Sequence, residues 1–391
     1  MDSLITLHIV PDDKFSNMVH RDFERFGKNN KYICFDNSGC LKYINGWKPD
    51  RITKGKLNKY IEVNNVSIIV FHSLLDKYIV TSLSSHLVVV WCGWGYDYYS
   101  YLLSKYYPQG MILEHTKSIF DNSRKQKKIT LMEFLKGGYR VARRKLLNKI
   151  YPPQKVVARI DFFIPVIDTE FKLVRKLNPW FSSEYISWNY GTLEDDYIVD
   201  NYITSDAENI LVGNSATPEN NHIEAFEFIH LNIDWKSHKI YCPLSYGDLE
   251  YAQRIKNIGI EFFGDNFIPL MDFLDKVEYN KILSSCRVMV FNHVRQQALG
   301  NIISGLAMEK VILLNKRNPL CEWLDENEIS YLTLDDKKDN IGLSAIDIVR
   351  NKKQIMRVWS RTVIAEKTMK MIEITHEAAR QKKHGEQYEI I

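Results

Sequence analysis

Residues 288–316 read VMVFNHVRQQALGNIISGLAMEKVILLNK, and the order of apolar and polar runs within them decides the fold. Val288, Met289, Val290 and Phe291 form a short continuous apolar run, the pattern of a parallel strand buried on both faces. The run stops at Asn292, His293, Arg295, Gln296 and Gln297, polar groups that a core takes only when they are paired. After Gly300, Ile302, Ile303, Leu306 and Ala307 recur at helical spacing, and Val311 restarts a buried strand. Strand, polar turn, helix and strand make one unit of an open α/β sheet. Such sheets bind ligands outside the carboxyl ends of their strands, where helix N-termini attract anions. Arg295 can fork onto phosphate oxygens, and Gln296 and Gln297 can give or take hydrogen bonds. The stretch therefore points to a phosphate-bearing ligand, a nucleoside diphosphate first among them. The alternative is a plain solvated strand-to-helix loop.

Working outward, 391 residues suffice for two domains, each with its own core. The chain is 45% hydrophobic and 26% charged, which is ordinary for a globular protein. The six cysteines (Cys34, Cys40, Cys92, Cys242, Cys286, Cys321) show no paired spacing, and several lie in apolar runs. They read as buried thiols in a reducing compartment, not as a disulfide frame or a zinc site. The N-terminal MDSLITLHIVPDD lacks a basic leader and goes straight into a strand, so no signal peptide is expected. No apolar run reaches the roughly 18 residues of a membrane span.

The net charge of +4 is unevenly spread: residues 123–155 hold eleven Lys/Arg against one Glu. Arg140, Arg143, Arg144, Lys145 and Lys149 line the latter part of a helical pattern there, beside Leu146, Leu147 and Ile150. Basic residues next to apolar ones suit anionic lipid head groups. A solvated helix face is the alternative. Nucleic acid is not expected, because no recognised binding motif accompanies the charge.

In the N-terminal half, residues 4–10, 32–35, 66–71 and 87–91 read as strands alternating with helical segments, which implies a doubly wound sheet. Residues 155–166 are a further strand-like run. Polar residues gather at strand ends: Asp12 and Asp13, His72, and Asp97 in Gly93-Trp94-Gly95-Tyr96-Asp97. An aromatic setting can desolvate Asp97 and raise its pKa, which suits a general base on a sugar hydroxyl. Capping of the following helix is the alternative. His72 is either a second substrate contact or a satisfied loop histidine. Glu194-Asp195-Asp196 lies near the expected connection at 205–208 and reads as surface, so no metal motif is assigned. The second half opens with strand 209–212 running into Gly213-Asn214-Ser215, a small polar turn that lets backbone N–H groups approach phosphate. A helix is expected at 218–233, strands at 238–243 and 260–263, a helix at 272–285, and a long helical pattern from Ala345.

Two Rossmann-like halves with a terminal helical segment describe the GT-B glycosyltransferase architecture. Gly213-Asn214-Ser215 with Asn220 and His222, Pro243 with Tyr246, Arg295-Gln296-Gln297 with Gly300, Leu314-Asn315 followed by Asn318-Pro319, and in the first half His72 and Trp94-Gly95-Tyr96-Asp97, carry a closer likeness. Together they resemble the bacterial TDP-4-acetamido-4,6-dideoxygalactose (Fuc4NAc) transferases, which act on undecaprenyl-diphosphate-linked saccharides in enterobacterial common antigen synthesis. The resemblance implies an acceptor domain at 1–205 and a nucleotide-sugar domain at 206–345, facing a central cleft. It also implies a helical segment at 346–391 that packs back toward the first domain. Arg295 would neutralise the TDP diphosphate, while Gly213, Asn214, Ser215, Gly300 and Asn301 would supply backbone donors. Asn292, Gln296 and Gln297 would contact sugar or phosphate, and Tyr246 the base. Asp97 or His72 would deprotonate the acceptor, with Asp12 and Asp13 also open for that role. No metal or other cofactor is expected. The basic tract would hold the enzyme peripherally on anionic lipids at the inner face of the plasma membrane. Other classes remain open: a GT-B enzyme using a UDP-sugar, a nucleotide-sugar epimerase, or a non-catalytic membrane-surface or nucleic-acid-binding protein.

Overall fold

The computed structural model describes residues 4–27, 29–35, 40–119, 146–147, 149–198, 207–336 and 341–389. The chain divides into two compact units, one of residues 1–106, 130–191 and 362–391, the other of residues 107–129 and 192–361. The seam thus passes at 191/192, ahead of the connection expected near 205–208.

The first unit is built on seven strands: β1 (Ile5–Ile9), β2 (Asn30–Cys34), β3 (Asp50–Arg51), β4 (Val66–His72), β5 (Val88–Cys92), β6 (Phe162–Ile164) and β7 (Glu184–Tyr185). All pair in parallel, in the order β3-β2-β1-β4-β5-β6-β7. Every residue of β4 and β5 is buried, which is why both read as unbroken apolar runs. Helix Phe15–Glu24 buries Val19 and Phe23 against the sheet, and Met371 and Ala379 of the terminal helix join the same core.

The second unit repeats the plan with β8 (Asn209–Val212), β9 (Ile240–Pro243), β10 (Phe267–Leu270), β11 (Cys286–Phe291), β12 (Val311–Leu314) and β13 (Leu332–Thr333). These also run parallel, in the order β10-β9-β8-β11-β12-β13. In each sheet the order reverses beside its first strand, between β1 and β4 and between β8 and β11, the place where doubly wound sheets hold ligands.

Three elements differ from the sequence expectation. Residues 260–263 are the last turn of helix Leu249–Phe263, whose buried Tyr251, Ala252, Ile255, Gly259 and Phe263 continue one stripe through them. The strand comes later, as β10, masked in the sequence by Pro269; proline lacks the ladder N–H and is confined to sheet edges, where β10 lies. Residues 155–166 split into helix Pro153–Val157, opened by its proline, and the short β6. The terminal pattern is two helices, Ala345–Trp359 and Arg361–Glu389, broken at the extended Ser360.

Gly259 tests this packing. An exposed helical Gly→Ala gains about 1 kcal/mol, but here the new Cβ would run into the ring of the buried Phe267. Overpacking of that kind costs about 1–3 kcal/mol, so Gly259→Ala is expected to lower the melting temperature. A raised melting temperature would refute the contact.

Candidate functional site

In the second unit the polar residues collect where β8, β9, β11 and β12 end. After β8 the chain turns at Gly213 with φ +68°. A Cβ there would sit 2.7 Å from Asn220 Oδ1 and 2.9 Å from His222 Nε2, so the position requires glycine. Asn220 is the hub of the turn. Its Oδ1 accepts from Asn214 N at 2.9 Å, and its Nδ2 donates to Thr217 Oγ1 at 2.8 Å and Ser215 Oγ at 3.1 Å. With the amide so oriented, His293 Nε2, 2.9 Å from Asn220 Oδ1, must carry the proton. Its Nδ1 is then a buried acceptor with no partner among the described residues. Burial, reinforced by Arg295 and His222, holds the His293 pKa well below the usual histidine value, so the ring is neutral.

Around this hub, Gln297 Nε2 donates to Asn214 Oδ1 at 3.0 Å, while Gln297 Oε1 is buried without a partner among the described residues. Asn214 Nδ2 donates to Tyr246 OH at 2.9 Å, and Asn301 Nδ2 donates to Tyr279 OH at 2.9 Å. Asn292 ties strand ends together, donating to Asn221 O at 3.1 Å and accepting from Asn315 Nδ2 at 2.8 Å. Asn318, after β12, accepts from Leu320 N at 3.0 Å through Oδ1 and leaves Nδ2 as a buried donor without a partner among the described residues. Ala298, left-handed at φ +62°, begins helix Leu299–Ala307. By helix geometry the N–H groups of Leu299, Gly300 and Asn301 have no acceptor one turn back, and they carry the positive end of the dipole. At Gly300 a Cβ would lie 3.3 Å from the Tyr197 ring. The helix terminus suits an anion. The orphaned acceptors suit hydroxyl or N–H donors. A phosphorylated sugar offers both.

Some expected donors are spent inside the fold. Gly213 N bonds Val290 O and Asn214 N bonds Asn220, so neither can also point at phosphate. Arg295 donates from Nε to Glu219 Oε2 at 2.6 Å and from a terminal nitrogen to the Gln296 carbonyl at 2.9 Å, which holds the guanidinium in place and takes up part of its donor set. Gln296 is buried, while Tyr246 is exposed.

In the first unit a hydrogen-bonded chain runs from Asn30, the first residue of β2, through His8 within β1 to His72, the last residue of β4. Asn30 uses Nδ2 as donor to Gly27 O at 3.0 Å, which leaves its Oδ1 to accept from His8 Nε2 at 3.4 Å. His8 Nδ1 therefore accepts from His72 Nε2 at 3.0 Å, and His72 Nδ1 accepts from Tyr190 OH at 2.8 Å. Burial pushes His8 down to about 3 and His72 well below the usual histidine value, so both rings are neutral. Asp97 is 1% exposed. Its oxygens accept from Leu74 N at 2.9 Å, Trp91 Nε1 at 2.8 Å and Trp94 N at 2.8 Å. It therefore ties the loop after β4 to the loop after β5. It does not cap helix Tyr99–Leu102, which begins after Tyr98 without a side-chain cap. Burial raises its pKa, and the three donors and Lys77 oppose that rise.

Of the basic tract, Arg140, Arg143, Arg144 and Lys145 lie outside the described residues. Lys149 is described and exposed, between exposed Leu146 and Ile150. Asp195 forms a two-point ion pair with Arg361, and Asp196 accepts from Thr192 N at 2.7 Å. Among the described residues no three His, Cys, Asp or Glu form a group able to hold a metal ion. No described helix is long and apolar enough to cross a membrane. Sequence reasoning missed His8, Tyr190, Glu219 and Tyr279. His8 alone gave a signal: a histidine inside the apolar LITLHIV must find a buried partner.

Comparison with known proteins agrees with this architecture. Residues 193–376 match the family model described as 4-alpha-L-fucosyltransferase, glycosyl transferase group 56. The chain resembles sucrose-phosphate synthase from Thermosynechococcus elongatus, with TM-score 0.63, 12% identity, and 96% of this chain and 100% of that chain covered. A glycosyltransferase from Rickettsia africae gives TM-score 0.60 at 12% identity, covering 97% and 99% of the two chains. HepE of Anabaena, solved with UDP and glucose, gives TM-score 0.57 at 9% identity, covering 95% and 100%. The fold is GT-B, and the family match with the fold supports a glycosyltransferase.

Asp97 gives a direct check on the first unit. Asp97→Ala would strand three buried N–H donors. Even at about 1 kcal/mol for each, denaturant unfolding should show a loss of about 3 kcal/mol. A loss under about 1 kcal/mol would show that these bonds do not hold the loops.

Proposed function

We propose that the protein transfers a 4-acetamido-4,6-dideoxyhexose from a TDP-sugar to an undecaprenyl-diphosphate-linked saccharide in bacterial surface polysaccharide synthesis. The observation that carries this reading is the second unit's strand-end cluster: a helix N-terminus at Leu299 beside the orphaned acceptors Gln297 Oε1 and His293 Nδ1. The terminus would take the diphosphate, and the acceptors would take hydroxyl or N–H groups of the sugar. A family described by fucosyl transfer fits a 6-deoxyhexose donor. Arg295 and the N–H groups of Gly300 and Asn301 would stabilise charge developing on the departing diphosphate. Asn292, Gln296, Asn214 and Ser215 would shape the sugar pocket, with Tyr246 near the base. Asp195 and Asp196 are engaged within the fold, which supports transfer without a bound metal.

The acceptor would bind the first unit, where Phe15, Trp94, Tyr96 and Tyr190 present aromatic faces to sugar rings. Phe15 and Trp94 centroids are 5.1 Å apart, Trp94 and Tyr190 5.6 Å. The exposed Leu146, Lys149 and Ile150 support contact with an anionic lipid surface, and with it peripheral attachment at the inner face of the membrane.

Thermal denaturation with TDP, UDP and GDP tests the donor. TDP should raise the melting temperature most, since ligand at 100 times its Kd adds about 2.7 kcal/mol, and Arg295→Ala should abolish the shift. A UDP-selective rise would replace the donor assignment. A flat series would remove the case for a nucleotide site at β11.

A further inference from the structure

We propose that Asp13, in the loop after β1, is the base that takes the proton from the attacking hydroxyl of the acceptor. The assignment rests on the glycosyltransferase reading above and refines the first unit's part in it.

Asp97, Asp12, His72 and Asp13 are the acidic and imidazole candidates for a base at the strand ends of this unit, and their hydrogen bonds separate them. Asp97 is buried with three donors on its two oxygens. Asp12 accepts from three backbone nitrogens, Lys42 N at 2.6 Å, Tyr43 N at 2.9 Å and Ile44 N at 3.2 Å, and so fastens the 42–44 loop. His72 has both ring nitrogens committed, to His8 and to Tyr190. Asp13 is different. Its Oδ1 accepts from Phe15 N at 3.1 Å, which fixes the carboxylate plane, and the side chain is only partly exposed. Phe15 in turn packs on Trp94 and on Tyr190, with centroids 5.6 Å apart in the second pair, so the residue whose N–H holds Asp13 is itself part of the aromatic cluster. From the loop after β5, Tyr96 feels the Asp13 charge and shares a 2.9 Å hydrogen bond with Ser73. Ser73, which follows His72, holds a left-handed φ of +71° without being glycine, the kind of local strain that clusters at functional sites.

Burial raises the Asp13 pKa above the usual carboxylate value, and neighbouring Asp12 adds to the rise; the Phe15 N–H, the Lys14 charge and the Lys14 N–H, which also bonds the carboxylate, oppose it. A more basic carboxylate, desolvated on one side, is the better proton acceptor near neutral pH. The step balances. The acceptor oxygen bonds to the donor's anomeric carbon, and the bond from that carbon to the diphosphate oxygen breaks. Its electron pair leaves with TDP, and the hydroxyl proton passes to Asp13 and then to solvent.

The test measures TDP release from TDP-Fuc4NAc with a prenyl-diphosphate-linked disaccharide as acceptor, for wild type and Asp13→Asn across pH. Carbon-13 NMR of the carboxyl groups, assigned by difference against the variant, runs alongside. Asp13→Asn should lower kcat by about 10²–10⁴-fold and keep the wild-type melting shift with TDP. Wild-type kcat/KM should fall on acidification with a midpoint above the ordinary aspartate range, matching the Asp13 carbon titration. Transfer by Asp13→Asn within a few-fold of wild type, with the same acid limb, overturns the assignment and leaves the transferase reading intact. Wild-type protein that neither shifts with TDP nor releases it overturns both.

Discussion

Parallel pairing is the constraint on which the rest depends. Every strand of each sheet runs the same way, so every loop leaving a strand's carboxyl end emerges on one edge of its unit. Side chains that no core accepts unpaired then accumulate there: Asn214, Asn220, Asn292, His293 and Gln297 in one unit, Asp12, Asp13, His72 and Asp97 in the other. They answer one another, and in doing so hold the loops in place. Asn220 and Asn292 fasten the second unit's turns as Asp97 and Asp12 fasten the first unit's loops.

That cross-bracing decides what chemistry is available. A polar group with every hydrogen bond made inside the fold contributes rigidity. One with a bond still to make can serve a ligand. By this criterion the second unit offers the Leu299 helix terminus, Gln297 Oε1, His293 Nδ1 and Asn318 Nδ2. The first unit offers the Asp13 carboxylate beside an aromatic surface. The neutral pair His8–His72 supplies a fixed direction of hydrogen bonding, which orients Tyr190, in place of a titrating group.

The sheet strands were legible in the sequence because burial on both faces writes continuous apolar runs, as in β4, β5, β11 and β12. β10 was not, because its proline speaks against a strand and only its edge position permits it. Strand-end residues could be nominated from composition: Asn292, Arg295, Gln297, His72 and Asp97 all fall where a ligand-bearing edge should be. Their partners could not. The pairing of Arg295 with Glu219, and of His72 with His8 and Tyr190, joins residues far apart in the chain. Only the fold reveals that Asp97 is saturated while Asp13 is half engaged, since both are simply aspartates after a strand.

The central claim is transfer of a sugar from a nucleotide to a lipid-linked saccharide, and mass spectrometry of the acceptor tests it most directly. Purified protein would be incubated with TDP-Fuc4NAc and a prenyl-diphosphate-linked disaccharide, with UDP- and GDP-sugars in parallel. The acceptor should gain the mass of one 4-acetamido-4,6-dideoxyhexose, with TDP released in equal amount. An acceptor of unchanged mass, from protein shown to bind TDP, would contradict it.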